Sequence, residues 1–586
     1  MRLPILITFS LLLAITGCNS NGVVTETAPK EDLSKPIQPP PSPAPTLALA
    51  DLEAEYAQVA DSRFGDVQVM VLQRLADLTL EESEAKLLQE GVDEHTDSKN
   101  RGHYKAIMLY EQLLTNFPEY QNNDQVRYQL ARAYDYAESP KQVLRVLTDL
   151  VEQHSDSPLY TETQLRRGEL LFTLNRFDEA VEAYTTVTAK GESSPYYKYA
   201  LYKQSWAFYK GGKVDTAHHK FADLLDYLNT PSELDKIESS DKELTSDVLR
   251  VLALSFSKLD GAKSIQEFLN TRDNQPYSSL IFQALAHQYD NQQLYSDAAD
   301  TYRYYADHYI NHSQSPSYLL QAIRLYEKAR QPKITFKTRE SFVKRYGPGT
   351  KFWRTQPESL YTKLLPAIKE HTISLAKHFH AVYQKNNQLT DAMYVQYWYR
   401  FFLDNYSNEK EAPAVRFLYA ESLFELGNYS KAAEAYSQSA YDYPPHQKSK
   451  EAGYAALISY EKQQNITEKQ RSSLLIESSK KFLKHFPHDS RFPEVRHIKA
   501  DQHLVLEEYQ AARKELVTLI KSIDNTRHEL LSPAWNKLSY CLFMLEKYYK
   551  AEIATTKALD YVVYQKDYRA LRERLAASIY QQGEVA

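Results

Sequence analysis

The side chains that could do chemistry stand apart from one another. His371, His378 and His380 fall in one helical stretch, but His378 and His380 are two apart and face different sides. His308 and His312 are four apart and could share a metal on one helical face, yet no acidic ligand beside them shares it. Each of these reads as a surface or helix-end histidine. Glu434 and Asp442 are two of many helical carboxylates, with nothing to mark them as an acid/base pair. The chain has no phosphate-binding glycine loop, zinc-finger spacing, HExxH or nucleophile elbow. We therefore expect no catalytic residue, no metal, no cofactor and no enzyme. Of the two cysteines, Cys18 and Cys541, the second lies in the apolar run SYCLFMLEKYY and reads as a small packed hydrophobe, with no intramolecular disulfide partner if Cys18 is modified.

The elements that position these residues are helices. In Pro413 to His446, Tyr419, Ala420 and Leu423 share one helical face, and Gly427 can take the positive φ of a helix end. Tyr429, Ala432, Tyr436 and Ser439 then recur at three- and four-residue steps until Pro444 stops the pattern. Small Ala420 and Ala432 let the two helices approach, and aromatic rings fill the space around them. This unit resembles a tetratricopeptide repeat (TPR), whose period is about 34 residues and which needs neighbours to bury its apolar face. The resemblance implies an all-α, right-handed superhelical solenoid of roughly ten helix-turn-helix repeats. Tyrosine, at 46 residues, suits such a thin two-layer core. A net charge of −6 with mixed signs argues against a nucleic-acid partner.

The N-terminus, Met1-Arg2 followed by LPILITFSLLLAITG, has a basic start and an apolar run too short to span a bilayer. Ile15-Thr16-Gly17-Cys18 resembles a bacterial lipoprotein box. The resemblance implies cleavage before Cys18, lipid on Cys18 and, with Asn19 following, a periplasm-facing place on the outer membrane of a Gram-negative bacterium. Seven of the 25 prolines lie between Pro29 and Pro45, the composition of an extended, disordered tether. The expected layout is a signal peptide (1–17), a lipidated tether (18–46), a helical cap and repeats (47–346), a non-repeat junction (347–410), then repeats and a capping helix (411–586). Helices are expected near Leu49–Arg63 and Asp66–Gln89, a polar loop over Pro231–Asp247, and a break at Tyr346-Gly347-Pro348-Gly349.

The TPR resemblance also implies that the first helix of each repeat lines a groove. By that rule the presented residues are Tyr128, Arg132 and Tyr136; Leu165, Glu169 and Phe172; then Tyr199, Tyr202, Trp206 and Tyr209. Tyr, Trp and Arg dominate binding hot spots, so Trp206→Ala is expected to weaken partner capture with the fold intact. A second, acidic groove is expected from Phe417, Glu421, Phe424 and Glu425. Ala440–Leu457 with its neighbours resembles large multi-TPR envelope proteins, including gliding-motility lipoproteins and Tol-like machines. The functional expectation is a non-catalytic, lipid-anchored periplasmic scaffold for a protein or peptide partner. Alternatives are an adaptor for a periplasmic protease or outer-membrane assembly machine, or a polysaccharide export component, because aromatic grooves also stack on glycan rings.

Overall fold

The computed structural model describes residues 65–90, 99–228, 230, 239–273, 275–524, 527–562 and 565–585, with residues 54 and 57–59 ahead of them. The leader, Cys18, the tether and most of Leu49–Arg63 lie outside the described residues. Every long element described is an α-helix, and no strand occurs among the described residues. The chain divides into two compact units between Tyr305 and Ala306.

The repeating unit is a pair of helices of 12 to 15 residues joined by a three-residue turn, as in Asn123–Tyr136 with Pro140–Gln153 and Tyr160–Thr173 with Phe177–Thr188. The turn follows one backbone recipe. Its central residue is left-handed in pair after pair: Glu138, Asn175, Gly212, Gln293, Arg330, Gly427, Glu507 and Glu546 all have φ between 52° and 81°. The next amide then reaches back to a carbonyl five residues earlier, as from Ser139 to Tyr134, Arg176 to Leu171 and Asn428 to Leu423, satisfying carbonyls the helix end would orphan.

Small residues mark where paired helices touch. Ala180, Ala217, Ala298, Ala432, Ala512 and Ala551 are fully buried. At Gly168 an added Cβ would sit 2.7 Å from Tyr184 Cε1, so the fully buried Tyr184 ring occupies the space a side chain would need. In the first unit, Val69 and Leu72 of Gly65–Glu90 pack with Tyr110 and Leu113 of Lys99–Asn116, and the core continues through Leu130 and Leu147. In the second, Leu319, Phe342, Tyr346, Leu375, Trp398 and Phe402 form one core, and smaller ones follow along the chain, the last enclosing Cys541. Cores that grow by addition explain how a chain of this length avoids one large interior.

Helix lengths vary along the array, and one pair departs from the repeat most. Glu358–Asn386 is a 29-residue helix, turned by left-handed Asn387 directly into the 17-residue helix Leu389–Asn405. The loop expected over Pro231–Asp247 is corrected in its second half: Ser239–Ser257 is a 19-residue helix, with residues 231–238 outside the described set. The run SSDKEL reads as polar, but Leu244, Thr245 and Val248 carry the buried face, while Asp241 and Asp247 bond to the preceding repeat.

Candidate functional site

The first helices of the first unit lie side by side and are joined by a band of tyrosines, arginines and carboxylates. Tyr128 donates its hydroxyl to Glu162 Oε1, and Tyr196 donates to Glu162 Oε2 at 3.2 Å. The first helices start 37 residues apart, at Asn123, Tyr160 and Tyr197, so Glu162 near the start of the middle helix gathers one tyrosine from within the preceding helix and one from the cap of the next. Arg166 completes the centre, its Nη2 3.0 Å from Glu162 Oε1 and its guanidinium 5.3 Å from the Tyr128 ring centroid. On the preceding first helix, Arg132 pairs with Glu84 at 2.8 Å. Towards the other end, Tyr199 donates to Glu169, Tyr202 to Asp247 Oδ2 at 2.7 Å, and Lys198 to Asp241 at 2.8 Å.

Burial tunes these groups. It pushes the Glu84 carboxyl up, with Arg132 pulling against it. Burial also pushes the Tyr128 and Tyr202 hydroxyls well above the usual phenol range, reinforced by Glu162 and Asp247, and the Tyr196 hydroxyl to about 12. These tyrosines therefore stay protonated donors, and the carboxylates serve as their acceptors. The band is thus a network of neutral phenol donors and carboxylate acceptors that ties neighbouring helices together.

The ten residues expected in the groove separate by exposure. Arg132, Tyr136, Glu169, Phe172, Tyr199 and Tyr209 are partly exposed. Tyr136 stacks on His103, Phe172 meets Phe177 edge-on, and Tyr199 bonds Glu169. The other four are corrected to the interior: Tyr128, Leu165, Tyr202 and Trp206 are all less than 5% exposed. Trp206, at 1%, meets Tyr202, Tyr209 and Phe221 edge-to-face with centroids 5.9 to 6.5 Å away, and Lys210 caps its face. Its neighbours come from its own helix and from the second helix of the same pair, which supplies Phe221.

Sequence reasoning missed Glu84, Glu162, Arg166, Asp241, Asp247 and Arg250, which neutralise and connect the aromatic residues. Arg250 holds Asp247 at 2.5 Å. The available signal was an offset between neighbouring repeats: Glu162 lies three residues before the position equivalent to Tyr128, one turn nearer its helix start, where a tyrosine of the preceding repeat can reach it.

The isolated groups resolve into packing. His371 and His380 are buried, correcting the surface reading, and His378 stacks on Phe336. His380 joins three helices, its Nδ1 3.2 Å from the Tyr399 hydroxyl and its Nε2 3.0 Å from Glu425. Of the second expected groove, Glu425 is exposed, Glu421 and Phe424 are partly exposed, and Phe417 is buried at 7%. Lys448 and Lys462 lie over the rings of Phe417 and Phe424, so cations interleave with its acids. Cys541 is fully buried, and burial pushes its thiol up to about 11. No group of side chains spaced to hold a metal occurs among the described residues. No described helix is long and apolar enough to cross a membrane.

Comparison with known proteins supports the repeat. A tetratricopeptide repeat family model matches residues 128–198 and 399–446. No curated protein matches the sequence. Similar solved structures include a Naa15/Naa10 assembly bound to HypK-THB, 12% identical, covering 91% of this chain and 79% of that one with a TM-score of 0.26. Yeast Tom70 is 14% identical, with 89% and 97% covered and a TM-score of 0.20. The nearly identical TPR-like repeats of a Podosopora anserina kinesin light chain candidate are 17% identical, with 38% and 98% covered and a TM-score of 0.25.

Proposed function

We propose that the chain is a non-catalytic scaffold, anchored by lipid on Cys18 to the periplasmic side of the outer membrane, that holds a protein partner of the cell envelope. The observation that carries this is the first-helix band: TPR-type helix pairs present Arg132, Tyr136, Glu169, Phe172 and Tyr209 partly exposed on a frame held by buried Tyr–carboxylate bonds. Fixed aromatic and charged groups on a rigid array suit recognition, since little side-chain freedom remains to be lost on binding. The lipoprotein box and the proline-rich segment after it support the anchor and its reach.

The test is a photoreactive phenylalanine at position 172 of the full chain in living cells, read by mass spectrometry of adducts and compared with Cys18→Ser. One defined envelope protein crosslinked by the wild-type leader and lost from the Cys18→Ser chain is the expected result. A carbohydrate adduct, or no adduct from a folded and lipidated chain, would overturn the protein-scaffold reading. Lipid labelling that persists in Cys18→Ser would overturn the anchor.

A further inference from the structure

The helix Leu389–Asn405 leaves an apolar face uncovered. Leu389 is 78% exposed, Met393 72%, Tyr394 46% and Tyr397 49%. Leu389, Met393 and Tyr397 recur every four residues and form one stripe, while Ala392, Val395, Trp398 and Phe402 on the other side are buried. The helix is therefore docked firmly and its outer stripe is a built surface rather than a frayed end. Its rings are already held: Tyr394 stacks on Phe379 at 4.9 Å and 17°, and Tyr397 lies at 6.2 Å and 29° to Phe401.

Cations bound this stripe. Lys385 is exposed at the turn into the helix, and Lys344 pairs with Glu340 at 2.7 Å. Arg400, exposed one turn beyond Tyr397, makes no ion pair among the described residues. Of the carboxylates nearby, Glu340 is paired with Lys344 and Asp391 faces Asn386, leaving Asp404 a further turn away. A fixed apolar stripe ending at an unneutralised arginine has a definite complement.

We infer that this face docks an amphipathic helix of a partner protein, with apolar residues every three to four positions and carboxylates flanking them to meet Arg400. Stripe packs on stripe as in other helix–helix contacts, and the charges set the orientation. The inference rests on the scaffold reading and names a second contact surface for it.

The test uses the full chain and a fluorescent 20-residue helical peptide with a leucine stripe and glutamate flanks, the same peptide with lysine flanks, and phosphatidylglycerol vesicles. Anisotropy should show the glutamate peptide binding at least tenfold more tightly than the lysine peptide. Leu389→Ser with Met393→Asn should weaken that binding at least tenfold while circular dichroism and melting stay unchanged, because both side chains are exposed. Arg400→Glu should reverse the preference between the two peptides. Equal binding of both peptides, binding indifferent to these variants, or vesicle binding without peptide binding would each overturn the proposal. If the peptides fail while a protein adduct still forms from position 172, this surface alone is refuted; if both fail, the scaffold reading falls as well.

Discussion

Trp206→Ala separates a binding role from a packing role for the ring that the repeat pattern places in the groove. At 1% exposure, with three rings edge-on around it, the indole is removed from water almost completely. An aromatic side chain of this size buries roughly 200 Å², which at about 25 cal/mol per Å² gives an upper figure near 5 kcal/mol. Observed large-to-small core changes of this kind cost about 3–5 kcal/mol, because the surroundings collapse only in part. In a repeat array that loss falls first on the local pairs, so hydrogen exchange is the suitable assay. Amides of Tyr197–Lys210 and Val214–Tyr227 should exchange at least a hundredfold faster in the variant, about 3 kcal/mol at 1.4 kcal/mol per decade, with those of Tyr429–Tyr441 unchanged. Phe172→Ala, at a partly exposed ring, should cost about 1 kcal/mol or less. Normal protection at Trp206→Ala together with lost partner binding would refute the packing assignment and restore the groove reading.

Other consequences are equally direct. Gly168→Ala places a methyl 2.7 Å from Tyr184 Cε1 and should destabilise by about 1–2 kcal/mol in urea titration despite alanine's better helix propensity, whereas in a Tyr184→Val background, itself destabilised by the lost ring, the same change should cost nothing further. Glu138→Gly and Glu507→Gly relieve a left-handed backbone at exposed turn centres and should each stabilise by about 0.5 kcal/mol, seen as a small rise in melting temperature. Burial holds His218 and His371 neutral down to about pH 4, with His219 and Arg339 respectively adding to the effect. In the unfolded chain each takes a proton near pH 6.5, so stability is full above that pH and falls by up to about 3 kcal/mol per histidine between 6.5 and 4. Denaturant titrations across that window should show the slope, and His218→Gln should flatten its share.

The pair architecture was legible because its signals are local. Alternating small and aromatic residues at three- and four-residue steps, Gly427 at a turn centre and prolines after helices each reflect backbone sterics or close helix approach. Where the same turn is centred on Glu138, Arg330 or Glu507, composition hides it, since the left-handed cost is met by packing on either side rather than by glycine. Only the first half of the helix Ser239–Ser257 reads as loop, for a related reason: its polar residues Asp241 and Asp247 are held by Lys198 and Tyr202 of another repeat, which no local window contains.

The site was less legible because exposure belongs to neighbouring repeats rather than to any one of them. The rule that assigns Tyr128 and Tyr202 to a groove fixes only the direction in which their Cα–Cβ bonds leave the helix. What each ring meets depends on the facing helix. Tyr128 meets Glu162 and becomes a buried donor; Tyr202 meets Asp247 with the same result; Phe172 faces no such acceptor and stays partly exposed. At Tyr128 and Tyr202 the facing carboxylate goes with full burial, whereas Tyr199 bonds Glu169 and stays partly exposed, so burial depends on the whole facing helix and not on the acceptor alone. Reading each first-helix side chain against the facing helix, rather than by its place in its own repeat, is what separates Phe172, Arg132 and Tyr209 from the buried Tyr128, Leu165, Tyr202 and Trp206.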